Sequence, residues 1–191
     1  MNMLTISIII PCYNSGMYIQ ECLDSIFMQE GSFVIKEIII VDDESNDDIS
    51  LKKLSEIKAN KDIRVLSNTG LKGAAGARNT GLKEAVSEWV LFIDADDVLT
   101  ENSIQKRVEA LRTHPNCSWI GGDFILWNED GSLESSGFFK SRKKTYKLLE
   151  RAFKNEGTVS FSKPVEHFIS ACLSQVGVSL IKKELLLSLG G

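Results

Sequence analysis

The sequence predicts an α/β fold, an open and mostly parallel sheet with helices on both faces. Three observations carry that expectation. Apolar, β-branched runs recur at residues 5–10, 37–41, 63–66 and 89–93, and they are continuous rather than alternating, as expected of strands covered on both sides. Segments with helical spacing lie between them. The residues following each run are small, polar or acidic, and in an open parallel sheet ligands sit outside the carboxyl ends of the strands.

Each element has a local reason. After the first run, Ile19, Cys22, Leu23, Ile26 and Phe27 fall at three- and four-residue spacings and predict one apolar helical stripe. After the second, Ser45 or Asn46 is placed to cap a helix whose first turn carries Asp47 and Asp48, acidic groups that suit the positive end of the helix dipole. After the third, Gly81 interrupts a helical stretch containing Leu82, Ala85 and Val86. After the fourth, Thr100 is placed to cap a helix bearing Ile104, Val108 and Leu111, which stops at His114-Pro115. Strand–helix units repeated in this way make a Rossmann-like sheet with right-handed crossovers.

Beyond Pro115 the pattern changes. Residues 117–127 read as a strand-pair region, with Asn128-Glu129-Asp130-Gly131 as a turn. Residues 141–147 are basic, 148–153 are expected to be helical, and 176–181 and 182–189 read as a further strand and a short helix. The division expected is one domain over 1–191, with a nucleotide-binding half to about residue 115 and the start of an acceptor half from 116 to 191. Gly190-Gly191 looks like a helix C-cap leading onward, so the chain reads as truncated at that point.

Composition narrows the class. In 191 residues, 43% are hydrophobic and 25% charged, which excludes disorder, collagen-like repeats and coiled coil. A balance of 22 Lys+Arg against 26 Asp+Glu, net charge −4, argues against a dedicated nucleic-acid binder. Cys12, Cys22, Cys117 and Cys172 form no C-x-x-C pair and read as buried, reduced thiols of a cytoplasmic protein. No apolar run approaches the ~20 residues a bilayer span requires. His114 and His167 receive no role.

The chemistry collects on one predicted edge. Pro11-Cys12-Tyr13-Asn14 follows the first strand, Asp42-Asp43-Glu44-Ser45 the second, Asn68-Thr69-Gly70 and the segment from Lys72 to Asn79 the third, and Asp94-Ala95-Asp96-Asp97 the fourth. Three carboxylates within four residues repel one another unless a cation joins them. Hard divalent ions accept such oxygen ligands together with substrate phosphates; the plain alternative is a solvated acidic turn capping the next helix. Asp43 can accept from a base N–H or a ribose hydroxyl, or serve as a helix cap. Gly76 and its small neighbours allow close backbone approach, and Arg78 offers a guanidinium to phosphate, or is a surface residue of a loop. Neither a Walker loop nor a dinucleotide fingerprint is present. Tyr13 can stack on a nucleobase or pack beside its loop.

Taken together, Ser7-Ile8-Ile9-Ile10-Pro11-Cys12-Tyr13-Asn14, Glu37-Ile38-Ile39-Ile40-Val41-Asp42-Asp43-Glu44-Ser45, Gly76-Ala77-Arg78-Asn79-Thr80-Gly81 and Phe92-Ile93-Asp94-Ala95-Asp96-Asp97 resemble the family 2 glycosyltransferases in order and spacing, from about Thr5 to the end of the chain. The resemblance implies the GT-A fold and inverting transfer of a sugar, usually from a UDP-linked donor, to an acceptor hydroxyl in polysaccharide or cell-surface glycan synthesis. It places Pro11, Tyr13 and Asn14 beside the nucleoside, Asp43 at the base, Gly76 and Arg78 by the donor, Asp94 at the ribose or the metal shell, and Asp96, last of the D-x-D, on Mn2+ or Mg2+. The family's common Gly after the paired aspartates is Glu44 here.

The resemblance also implies that the general base lies past Gly191, so no catalytic residue is assigned. The partners it implies are a nucleotide-sugar donor and a glycan or lipid-linked acceptor, with the full-length protein peripheral at the inner face of the membrane. Two rivals are a nucleotidyltransferase, which would want a Gly-rich loop directly after the first strand, and a non-catalytic nucleotide- or carbohydrate-binding module, which has less need of the Asp94/Asp96 pair.

Overall fold

A computed structural model describes residues 3–125 and 179–190. The expected turn at 128–131, the basic stretch 141–147, the helix 148–153, His167 and Cys172 lie outside the described residues. The elements are β1 (Leu4–Cys12), α1 (Ile19–Phe27), β2 (Phe33–Asp42), α2 (Asp48–Ile57), β3 (Ile63–Ser67), α3 (Ala74–Glu84), β4 (Trp89–Phe92), α4 (Ser103–Thr113), β5 (Trp119–Ile120), β6 (Leu180–Lys182) and α5 (Lys183–Ser188).

The strands join one sheet in the order β3-β2-β1-β4-β6-β5. β3, β2, β1 and β4 run parallel, while β6 is antiparallel to both β4 and β5. Period-two alternation divides each central strand between two cores. Ile6, Ile8, Ile10, Ile38, Ile40, Trp89 and Leu91 pack beneath α1, α2 and α4, whose Ile19, Leu23, Ile26, Leu54, Ile104 and Val108 meet them. Ile9, Ile39, Val41, Val90 and Phe92 face the other way, against Ala77 and Leu82 of α3, with Leu185 and Leu186 of α5 packed alongside. The apolar runs are continuous because both faces are covered.

This winding positions the site. β1, β2 and β3 step outward in one direction with α1 and α2 on one face; the chain then crosses back by α3 on the other face and lays β4 on the far side of β1. The strand order reverses between β1 and β4, and that reversal opens a crevice at their carboxyl ends. α3 lies close enough for this only because residue 81 lacks a side chain: a Cβ there would stand 2.5 Å from Ile9 Cγ2. Gly81 therefore does not interrupt the helix; it lets the helix approach the sheet.

Several local expectations are corrected. α2 is capped by Asp47, whose side chain accepts from Ser50 N at 2.8 Å; Ser45 and Asn46 instead hold the β1 loop. The residue capping α4 is Asn102, in left-handed conformation, and Thr100 contributes its carbonyl, which accepts from Ser103 N and from Gln29 Nε2, but no side-chain cap. Phe27 is 51% exposed and leaves the apolar stripe, since at the last residue of α1 it has turned past the sheet. Val86 lies beyond the end of α3 and is exposed.

At the opposite, amino end of the sheet, a register shift between Ile6 and Ser7 sets Glu37 beside Ser7. Glu37 accepts from Ser7 Oγ, Val86 N and Arg64 Nη1. Burial opposes ionisation of Glu37, but these three donors outweigh it and hold the carboxyl below its ordinary value. This network fastens β1, β2, β3 and the entry to β4 far from the crevice. Among the described residues no helix is long and apolar enough to cross a membrane.

Candidate active site

The crevice between β1 and β4 is lined by Pro11, Cys12, Tyr13, Ser15, Asp43, Ala74, Asp94, Ala95 and Asp96. Backbone bonds extend the sheet just past its strands and fix these loops: Asp43 N donates to Cys12 O at 2.8 Å, Asn68 N to Asp42 O at 2.8 Å, and Ile93 N to Ile9 O at 3.2 Å. Four sequence clusters thus arrive at one edge because four strands end there.

Pro11 and Tyr13 form the β1 side, Tyr13 with a half-exposed ring. Asn14, expected beside the nucleoside, uses its side chain to join loops: Oδ1 accepts from Asn46 N at 2.9 Å and Nδ2 donates to Asn46 Oδ1 at 3.0 Å. Its own N–H donates to Ser45 Oγ at 3.0 Å. Both Asn14 and Glu44 have positive φ, 51° and 65°. The position where the family carries Gly needs left-handed backbone, and here Glu44 occupies it.

Asp43 is buried at 5% exposure, yet both oxygens are engaged: Oδ1 accepts from Asn68 Nδ2 at 2.6 Å and Oδ2 from Gly73 N at 2.7 Å. A carboxylate has about four lone-pair sites, so Asp43 can hold this loop and still accept from a ligand. Asn68 is the residue sequence reasoning passed over. Its Nδ2 also donates to Leu71 O, and its Oδ1 accepts from Gly70 N and Thr80 Oγ1. It ties the β3 loop to β2 and to α3 together. Gly76 packs under that loop rather than lining the crevice: a Cβ there would lie 1.6 Å from Leu71 O.

On the β4 side, Arg78 Nη2 donates to Asp94 Oδ1, and Arg78 Nε is buried without a hydrogen-bond partner. Arg78 is absent from the crevice lining and reaches it only through this ion pair with Asp94, which does line it. Asp96 is exposed and has no hydrogen-bond partner among the described residues. Asp97 N closes a turn onto Asp94 O at 3.0 Å. Partial desolvation, reinforced by the charges of Asp94 and Asp96 and opposed by Arg78, pushes the Asp97 carboxyl up to about 6, although the side chain still meets solvent.

Cys12 and Cys22 are inert at neutral pH, because burial above all pushes their thiols up to about 11 and about 12. Among the described residues no three His, Cys, Asp or Glu side chains stand together in a group that could hold a metal ion. Asp96, free, and Asp94, shared with Arg78, would offer a hard divalent ion one or two carboxylates, and such ions take substrate phosphates as further ligands.

A sheet that reverses strand order beside β1, takes an antiparallel neighbour next to β4 and gathers aspartates at the reversal is the GT-A architecture. The mannosyltransferase PcManGT of Pyrobaculum calidifontis, solved with GDP-Man and Mn2+, has this fold, with TM-score 0.63 at 22% identity over 97% of this chain and 46% of that one. The profile of glycosyl transferase family 2 matches residues 7–168, and the chain belongs to that family.

Among its curated relatives, the UDP-Glc:alpha-D-GlcNAc-diphosphoundecaprenol beta-1,3-glucosyltransferase WfgD of Escherichia coli is 31% identical over 144 residues, 75% of this chain and 54% of that protein. The poly-beta-1,6-N-acetyl-D-glucosamine synthase of Staphylococcus epidermidis is 30% identical over 128 residues, 67% of this chain and 30% of that protein. The chain therefore spans about half or less of the length of these relatives.

Proposed function

We propose that this chain binds the donor in an inverting, metal-dependent glycosyltransferase that moves a sugar from a UDP-linked donor to a hydroxyl of a glycan or lipid-linked acceptor. The observation that carries the reading is the crevice itself: an aromatic ring, a buried carboxylate and two further aspartates, one of them paired with Arg78, line it at the strand reversal. The printed activity of WfgD, a UDP-glucose donor and a diphosphoundecaprenol acceptor, supports the choice of donor and acceptor class.

In this reading Tyr13 stacks on the base and Pro11 stiffens the wall beneath it. Asp43 accepts from the base imide N–H with a lone pair left over from the loop. Arg78, held by Asp94, lies toward the diphosphate, and Asp94 also reaches the ribose or the metal shell. Asp96 and Asp94 would hold Mn2+ or Mg2+, which when bound offsets the charge gathering on the leaving diphosphate. In the displacement the acceptor oxygen forms a bond to the anomeric carbon as the carbon–phosphate-oxygen bond breaks. The electron pair leaves with UDP, the acceptor proton passes to a carboxylate base, and configuration inverts.

A thermal-shift panel of nucleotide sugars with Mn2+ tests this. Ligands that bind only the native state raise its stability, so UDP-linked donors are expected to raise Tm above GDP-, CDP- and ADP-linked ones. No shift with any nucleotide at millimolar concentration would end the donor-binding reading.

A further inference from the structure

Nothing in the proposed donor site yet uses Lys72, although it stands over the part of the crevice assigned to the base. Its Nζ lies 5.5 Å from the centroid of the Tyr13 ring and 2.9 Å from Glu44 Oε2. Its backbone is fixed on both sides: Gly73 N is held by Asp43 Oδ2, Leu71 O is held by Asn68 Nδ2, and Gly76 lets Leu71 sit against α3. The side chain itself is 62% exposed, and its partner Glu44 is 75% exposed. An exposed ammonium on a fixed backbone thus clasps the mouth of the crevice beside Tyr13.

That clasp cannot remain where it is when a base enters. Stacked rings take centroid separations of ~4.5 Å or more, so a base on the Tyr13 face occupies the space now under the ammonium. The lysine stem has to swing aside, and the nearest new partner is the edge of the base. Asp43 supplies an acceptor from the floor; Lys72 supplies donors only. The two together match an edge that presents a ring N–H next to a carbonyl oxygen.

Resting on the donor reading above, we propose that Lys72 is a base-specificity residue: it leaves Glu44 and Tyr13 to donate to a carbonyl oxygen of the donor's pyrimidine while Asp43 accepts from the adjacent ring N–H. Cytosine, whose ring nitrogen at that edge is an acceptor, meets the Asp43 carboxylate with like polarity and is rejected. Glu44 parks the ammonium in the free protein, which accounts for an acidic residue in a left-handed position that suits glycine.

The test is Lys72→Met, measured by calorimetry with UDP, uridine and CDP against the unchanged chain, with circular dichroism to show that this exposed substitution leaves the fold intact. A lost charge-assisted hydrogen bond corresponds to roughly tenfold in affinity. The expected result is a loss of that size for UDP and for uridine alike, with the preference over CDP reduced. A loss for UDP but not uridine would place the ammonium on phosphate and overturn the proposal. Equal affinity for all three ligands before and after substitution would overturn it too. Tighter binding in the variant would show a simple latch excluding the base, again against it. If the unchanged chain binds no uridine nucleotide, the donor reading itself fails; if it binds UDP and only the variant result is flat, Lys72 alone loses its role.

Discussion

Replacing Asn68 with alanine tests how the β3 loop holds the site. Four hydrogen bonds would go: to Asp43 Oδ1 at 2.6 Å, to Leu71 O at 2.9 Å, from Gly70 N at 2.9 Å and from Thr80 Oγ1 at 2.7 Å. The Leu71 and Gly70 bonds are exposed, and water replaces them at little cost. The other two are partly buried. The bond to the Asp43 carboxylate is charge-assisted and worth about 1.5–3 kcal/mol, and the neutral Thr80 bond about 0.5–1.5 kcal/mol. Thr80 Oγ1 can turn its proton to Thr69 Oγ1 at 3.5 Å as a weaker acceptor, which favours the low end of its range. The sum is a loss of about 2–4 kcal/mol, read as a lower urea midpoint at unchanged slope. UDP affinity should fall with it, because Asp43 loses the donor that orients it. A stability loss under about 0.5 kcal/mol would refute Asn68 as the hub of the loop.

Other consequences follow from the same geometry. Gly81→Ala would put a methyl 2.5 Å from Ile9 Cγ2 and 3.2 Å from Val41 Cγ2, and overpacking of this kind should cost about 1–3 kcal/mol in chemical denaturation. Glu37→Gln should destabilise most above pH 5. The depressed carboxyl contributes stability that is present above its ordinary value of 4.5 and lost as pH falls through the lower folded value, so the gap to the unchanged chain should close in acid. Asp97→Asn should have the opposite sign. A carboxyl raised from 3.8 to about 6 makes the folded state less stable as pH climbs through that window, so the amide should raise Tm at pH 7 and leave it unchanged near pH 3. A gain at both pH values would show that the ionisation of Asp97 is not the cause.

Much of this architecture was legible in the residues. Strands buried on both faces leave uninterrupted apolar runs, so β1 to β4 stood out, and the convergence of Pro11–Tyr13, Asp43 and Asp94–Asp96 followed once all four strands ended at one edge. What escaped reading depends on contacts between distant residues. Asn68 carries no periodic signal, since its main partner Asp43 is 25 residues away and is brought near only by strand pairing. The caps failed for a related reason. Ser45 and Asn46 are good capping residues by type, but the β1 loop claims both through Asn14, and Asp47 takes the cap. Gly81 read as a breaker because close approach to Ile9 is invisible along the chain. The insertion of β6 between β4 and β5, from about sixty residues further on, has no local signature at all.

The central claim is that the crevice binds a uridine diphosphate through a divalent ion held at Asp96. Calorimetric titration of UDP with and without Mn2+, on the unchanged chain and on Asp96→Ala, tests it most directly. Asp96 is exposed and makes no hydrogen bond among the described residues, so the variant should fold with little loss of stability. The account predicts that Mn2+ strengthens UDP binding to the unchanged chain and does nothing for the variant. The same Mn2+ enhancement in both proteins would contradict it.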